Sequence, residues 1–273
     1  MYLAHMVVSR QDTAPAFVRL AAHPVRWKLL AALADSDYRV RELAALAAQP
    51  QNLISYHLRL LRDGGLVTST RSTFDGRDAY YHLDLTHCAK ALADTGAILH
   101  PALRRETAPP VPPVGQWPRP IAVLFVCTGN SARSPIAEAL LQHHTTGRLR
   151  VTSAGSRPKS RLHPNTERVL RDMFDIDISG QHPRHLAAVA DRHFDHVITL
   201  CDRAREACGE FFGPNAPWAV ARRIHWSIPD PATAGDTDQA TYPAFQRTAA
   251  DIDNRIRHLL PVLATADRTE VQS

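Results

Sequence analysis

Between Val126 and Pro135 the chain reads Val-Cys-Thr-Gly-Asn-Ser-Ala-Arg-Ser-Pro, and this stretch constrains the fold more than any other. The apolar run Ile121 to Val126 predicts a buried parallel strand that ends on Cys127. A short Gly-containing loop follows, closed by Arg133, and Ser134-Pro135 open a helix expected from Ile136 to His143. Strand, loop and helix start form a cradle in which the backbone N–H groups of Thr128, Gly129, Asn130, Ser131, Ala132 and Arg133 converge. The helix dipole favours negative charge there, and a guanidinium can grip an oxyanion with two parallel hydrogen bonds. A cysteine in such a field is an activated nucleophile, so the site suits attack on a tetrahedral oxyanion.

The spacing Cys127-x5-Arg133-Ser134 resembles the phosphate-binding loop of the low-molecular-weight protein tyrosine phosphatases and of the arsenate reductases that share their fold. The loop alone does not separate the two activities. A second apolar strand, Phe194 to Leu200, leads to Cys201, and Cys208 follows in the polar segment Cys201-Asp-Arg-Ala-Arg-Glu-Ala-Cys208. This arrangement resembles the thioredoxin-coupled arsenate reductases, whose relay pair follows a strand ending Thr-Leu-Cys. A phosphatase needs neither thiol. The resemblance implies Cys127 as nucleophile, Arg133 and Ser134 in the loop, and Cys201 and Cys208 as relay thiols. His225-Trp-Ser-Ile-Pro-Asp230-Pro-Ala likewise resembles the acid loop of the family, which makes Asp230 the general acid. Two positions depart from the reductases: Ala132 stands where many carry a further cysteine, and Pro135 is more phosphatase-like. Some relatives bind potassium. Asn130, Glu138 and Ser153 match three of its ligand positions, but the expected aspartate falls in the basic run Gln181-His-Pro-Arg-His185, so neither metal nor other cofactor is expected.

At 273 residues the chain has room for two cores. The run Pro109-Pro-Val-Pro-Pro113 marks a semi-rigid linker, expected over 101–120. It separates a first domain, 1–100, from a second, 121–265, with a tail at 266–273. Ahead of it, apolar spacing predicts helices around Phe17–Ala21, from Pro24 to Leu33, and from Val40 to Leu46. After a turn at Gln49-Pro50 comes Gln51 to Arg62, with Leu53, Leu58 and Leu61 expected inward. Gln51, Asn52, Ser55, Tyr56, His57 and Arg59 are then left for DNA. Gly64-Gly65 end this helix. Two alternating strands, Leu66–Thr70 and Ala79–Leu83, meet at Asp75-Gly76, with Arg71 and Arg77 on the wing and a closing helix from Thr86 to Leu99.

Ser55-x-His57-Leu58-x-x-Leu61-x-x-x-Gly65-Leu66-Val67 resembles the winged-helix repressors of the ArsR/SmtB family. That resemblance implies a homodimer formed through the N-terminal domain on inverted-repeat operator DNA. The net charge of +5 and pI of about 9.3 agree with such a partner. The third helix lacks the Cys-x-Cys pair used by metal-sensing members. Cys88, beside His87 and distant from His100, is too sparse a set for ligation and reads as a packed thiol.

The expected architecture is therefore a mainly α winged helix-turn-helix domain followed by a small doubly wound α/β domain. The expected function is an arsenic-responsive regulator fused to an arsenate reductase, working on arsenate and arsenite with a thioredoxin-like reductant. Two alternatives stay open: a phosphatase fused to a DNA-binding domain, and a non-catalytic sensor of oxyanion or arsenite. No signal peptide or membrane-length apolar stretch is apparent, so a cytoplasmic location is expected.

Overall fold

The computed structural model describes residues 14–103, 121–207 and 218–265. Cys208, nearly all of the proline-rich linker and the tail lie outside the described residues. Contacts divide the chain into two units. One is Met1–Ser69 with Tyr81–Ala108, and the other is Thr70–Tyr80 with Pro109–Ser273.

The first unit begins with α1 (Ala16–Ala21) and α2 (Pro24–Asp35). Pro24 occupies the first turn of α2, where no N–H partner is needed, and His23 caps it by accepting from the Val25 N–H at 3.2 Å. The two-residue strand β1 (Tyr38–Arg39) leads into α3 (Val40–Ala47), which ends on Ala48 in the left-handed region. Then come α4 (Gln51–Asp63), the wing strands β2 (Val67–Arg71) and β3 (Ala79–Leu83), whose tip Thr70–Tyr80 is assigned to the other unit, and α5 (Leu85–Leu99). The strands order as β1-β3-β2. Leu29, Leu33, Leu43, Ile54, Leu58 and Leu61 form the centre of one apolar core.

Along α4 the buried stripe is Ile54, His57, Leu58 and Leu61, a spacing of three and four residues that one helix face requires. This corrects two sequence expectations. Leu53 is only half-buried and Ile54 takes its place, and His57, expected on the DNA face, is 4% exposed. Its ring packs 4.5 Å from that of His23, and burial pushes its pKa down, with His23 and Arg26 adding to the effect.

The second unit holds a four-stranded parallel sheet made of β4 (Ala122–Cys127), β5 (Arg150–Gly155), β6 (His196–Thr199) and β7 (Arg222–His225), in the order β5-β4-β6-β7. Every residue of β4 is buried, as a central parallel strand covered on both faces demands. The chain leaves β4 for β5 on one side and then crosses to β6 on the other. With right-handed crossovers this reversal places successive helices on opposite faces. Among the described residues the α-helices are α6 (Arg133–His144), α7 (Pro164–Phe174), α8 (Asp202–Ala207) and α9 (Asp238–Thr265). α9 packs on α6 and α7, while α8 packs on β4 and β6. In such sheets the crevice beyond the strand C-termini, beside the reversal, is where ligands collect. Cys127 is the last residue of β4, and Cys201 follows β6 by two residues.

Candidate active site

The loop from Cys127 to Arg133 owes its shape to where its carbonyls go. The carbonyl oxygens of Thr128, Gly129 and Ser131 accept from the N–H groups of Arg157, Lys159 and His163, each at 2.9 Å, and Ser131 also accepts from the Thr166 hydroxyl at 2.8 Å. With these acceptors turned outward onto residues 157–166, the inner wall is left to N–H groups. The Asn130 N–H donates to Cys127 Sγ at 3.2 Å, and the Ser134 hydroxyl lies 3.0 Å from the same sulfur. α6 starts at Arg133 with no side-chain cap, so its first N–H groups face the loop.

The Arg133 side chain is buried. Nη1 donates to the Ile228 carbonyl at 3.0 Å and Nη2 to Asp230 Oδ2 at 2.8 Å. Its Nε is buried with no hydrogen-bond partner among the described residues, a donor whose desolvation costs about 1–3 kcal/mol until an acceptor meets it. Asp230 caps the short turn Pro231–Thr233 by accepting from the Ala232 N–H, which fixes its carboxylate beside Arg133. A cavity of about 730 Å³ opens over Cys127, bounded by the loop, Asp230, Arg157, Lys159 and Arg161.

Cys201 is 2% exposed, and its sulfur lies 3.3 Å from the hydroxyl of Thr128, a residue of the nucleophile loop. Burial pushes its thiol up, the charge of Arg133 opposes this, and the sulfur of Cys127 reinforces it. Next to it Asp202 accepts from His225 across 3.1 Å, and the other ring nitrogen of His225 is 2.8 Å from the Thr199 hydroxyl. Burial alone would raise the Asp202 carboxyl. Hydrogen bonds from His225, the Thr73 N–H and Ser227 outweigh it and hold the group at about 2.

Cys127, Thr128, Gly129, Asn130, Ser131, Ala132, Arg133, Ser134, Cys201 and Asp230 thus gather at one sheet end. Cys208 lies outside the described residues. Sequence reasoning missed Gly155, at the end of β5. A Cβ there would stand 2.6 Å from the Thr128 carbonyl oxygen and 2.9 Å from the Asn130 nitrogen. Only glycine lets the strand approach the loop this closely. Gly155→Ala is expected to lower stability by about 1–3 kcal/mol through overpacking and to weaken phosphate binding at the loop; urea unfolding and calorimetric titration with phosphate measure both.

On α4, Gln51, Asn52, Ser55, Tyr56 and Arg59 are exposed, and Tyr56 is half-exposed as a large aromatic. Arg71 and Arg77 are exposed on the wing, with Arg71 donating to the Gly76 carbonyl at 3.0 Å. Cys88 is buried, and burial with Asp84 nearby pushes its thiol up to about 11, as befits a packed side chain. Among the described residues no cluster of His, Cys, Asp and Glu is arranged to hold a metal ion, and no helix is long and apolar enough to cross a membrane.

Residues 122–271 match the profile of the low molecular weight phosphotyrosine protein phosphatases, more than half of the chain. The chain belongs to that family. Residues 23–69 match the profile of bacterial regulatory proteins of the arsR family. Among relatives, a protein named arsenate reductase from Bacillus subtilis is 34% identical over 135 residues, which are 50% of this chain and 91% of the relative. One of the same name from Bacillus licheniformis is 36% identical over the same shares. A solved structure titled "An arsenate reductase in the phosphate binding state" is 27% identical with a TM-score of 0.43, covering 52% of this chain and 98% of that one.

Proposed function

We propose that the chain is an arsenate reductase joined to an ArsR-type DNA-binding domain, as two domains separated near residues 101–120. One observation carries the enzymatic half: a second thiol, Cys201, is hydrogen-bonded to Thr128 of the loop that cradles the nucleophile. A phosphomonoesterase needs one sulfur, whereas a reductase needs a second to supply the electron pair that returns the S–As bond to arsenic. The relatives named arsenate reductase support the same reading.

In this mechanism arsenate sits on the loop N–H groups and Arg133. Cys127 Sγ attacks arsenic, and Asp230 gives a proton to the departing oxygen, so water leaves. The Cys201 thiolate then attacks Cys127 Sγ. The S–As electron pair returns to arsenic, which leaves as arsenite in the trivalent state, and Cys127 and Cys201 become a disulfide. Cys208 attacks Cys201, frees Cys127, and a thioredoxin-like dithiol reduces the Cys201–Cys208 pair. Arsenite formation with a thioredoxin system, measured beside p-nitrophenyl phosphate hydrolysis, tests the assignment. Phosphate ester turnover with no arsenite formed would replace it with a phosphatase. Asp230→Asn is expected to slow arsenite formation by about a hundredfold, the usual scale for losing a general acid; single-turnover kinetics reads it directly.

The regulatory half is proposed to bind an inverted repeat as a dimer, with α4 in the major groove. Exposed apolar side chains on α5 (Leu92, Ile98, Leu99) and on α1 (Val18), two helices that pack together, support a self-association surface. Tyr56 is the base-contact candidate that remains once His57 is removed from the DNA face, and Arg59, Arg71 and Arg77 suit phosphates. Tyr56→Ala is expected to relax sequence preference, while Arg71→Ala weakens all sequences alike and flattens the salt dependence. Electrophoretic shift assays on operator and scrambled DNA over a salt series separate the two. Run with and without arsenite, they also test the proposal that arsenite, held by Cys127, Cys201 and Cys208, sets operator affinity; equal affinities would remove it.

A further inference from the structure

Glu138 lies one helical turn beyond Ser134 on α6 and is 5% exposed, a carboxylate sealed behind the nucleophile loop. It is held on three sides. Arg184 Nη2 stands 3.1 and 3.2 Å from its two oxygens, the Gln181 amide donates to Oε2, and the Ser153 hydroxyl donates to Oε2 at 2.6 Å. The Arg184 backbone N–H donates to Asn130 Oδ1 at 2.6 Å. Asn130 Nδ2 in turn donates to Ser153 Oγ at 2.8 Å and to Ser134 Oγ at 2.9 Å.

Asn130, Glu138 and Ser153 are the three residues that match a potassium site in relatives, and they do not fit that ion here. Each oxygen that would face it is already committed: Asn130 Oδ1 to a backbone N–H, Ser153 Oγ between an amide and a carboxylate, and both Glu138 oxygens to a guanidinium. A potassium ion would have to share one buried carboxylate with Arg184.

We propose that Arg184 is a built-in cation that replaces the potassium ion and fixes the direction of every hydrogen bond behind Cys127. A carboxylate only accepts, so Ser153 must donate to it and is left to accept from Asn130. The backbone N–H of Arg184 holds the Asn130 amide with its oxygen outward and both amide hydrogens toward the serines. Ser134 then accepts from Asn130, and its own proton is left for Cys127 Sγ, 3.0 Å away. Asn130 keeps the left-handed backbone (φ +44°) that its place in this chain of bonds requires. Without the guanidinium Glu138 would be a buried charge with no counter-ion, a state that proteins avoid by protonation or rearrangement. A protonated Glu138 can donate to Ser153, whose own proton then finds an acceptor only if the Asn130 amide turns over and gives up the Arg184 N–H; the turned amide would present its oxygen to Ser134 and draw that proton away from the sulfur. Arg184 is a positioning residue in this role and touches no substrate.

The proposal rests on Cys127 as the reactive thiol and not on which oxyanion is turned over. Its test uses the full-length protein, alkylation of Cys127 by iodoacetamide followed by peptide mass spectrometry, and protection by inorganic phosphate. For the wild type, rates in potassium chloride and in sodium chloride of equal ionic strength are expected to agree within about twofold. Arg184→Ala is expected to slow alkylation and weaken phosphate protection by tenfold or more, and Arg184→Lys to recover most of both. Glu138→Gln keeps the shape but removes the charge, and it is expected to show the same loss of protection if Arg184→Ala does not fold. A potassium-specific response of the wild type overturns the proposal, as does an Arg184→Ala or Glu138→Gln protein that behaves as wild type. A Cys127 inert in the wild type removes the nucleophile itself, and the proposal with it.

Discussion

Cys127→Ser is expected to abolish arsenite formation and phosphate ester hydrolysis together, each by at least about a thousandfold, while phosphate still binds. The two consequences separate because they rest on different atoms. Binding draws on the loop N–H groups, whose carbonyls are tied outward, and on Arg133, held by Ile228 and Asp230. Attack draws on the sulfur alone. A serine hydroxyl can take the place of the thiol between the Asn130 N–H and Ser134 without moving either. Calorimetric titration with phosphate beside the two activity assays reads all three quantities. Arsenite formation by Cys127→Ser at a wild-type rate would move the nucleophile elsewhere.

Cys201→Ser is expected to divide the activities. Arsenite production under turnover should fall by about a hundredfold or more, since Cys201 is the thiol that, among the described residues, stands beside the nucleophile loop to take the electron deficit from Cys127. Hydrolysis of p-nitrophenyl phosphate should change only a few-fold, because water can release a phospho-cysteine without a second sulfur. Burial raises the Cys201 thiol, so in the wild type this step is expected to accelerate as pH rises through the neutral range while phosphate binding does not follow it. The companion variant Cys208→Ser should stall one step later, and mass spectrometry should find Cys127 joined to Cys201. A disulfide to Cys88 in its place would break the proposed order.

Much of the reactive end was legible because it is local. The apolar run, the terminal cysteine, the glycine loop and the arginine lie within a few residues, and the strand and helix they announce are β4 and α6. The wing strands and the helix before them were legible for the same reason. Where reading by pattern slipped, the cause was a face or a distance. On α4 a register shift of one residue, Leu53 for Ile54, left His57 on the wrong side. β7 escaped notice because an edge strand of four residues beginning Arg222-Arg223 carries no alternating apolar signal. Gly155 was illegible in principle, since it meets the loop across the fold. For Arg184 the resemblance marked only the basic run that stands where a potassium ligand is expected; which of its residues meets Glu138, 46 positions earlier, follows from the fold.

Residues 157–163 brace the loop through backbone N–H groups and line the cavity with the exposed side chains of Arg157, Lys159 and Arg161. Because bracing belongs to the main chain, selection can rewrite those three side chains without loosening the cradle beneath them. Descendants of one ancestor can thus diverge in what they admit while keeping the same reacting core, and a laboratory library confined to positions 157, 159 and 161 would explore substrate range with little penalty in folding.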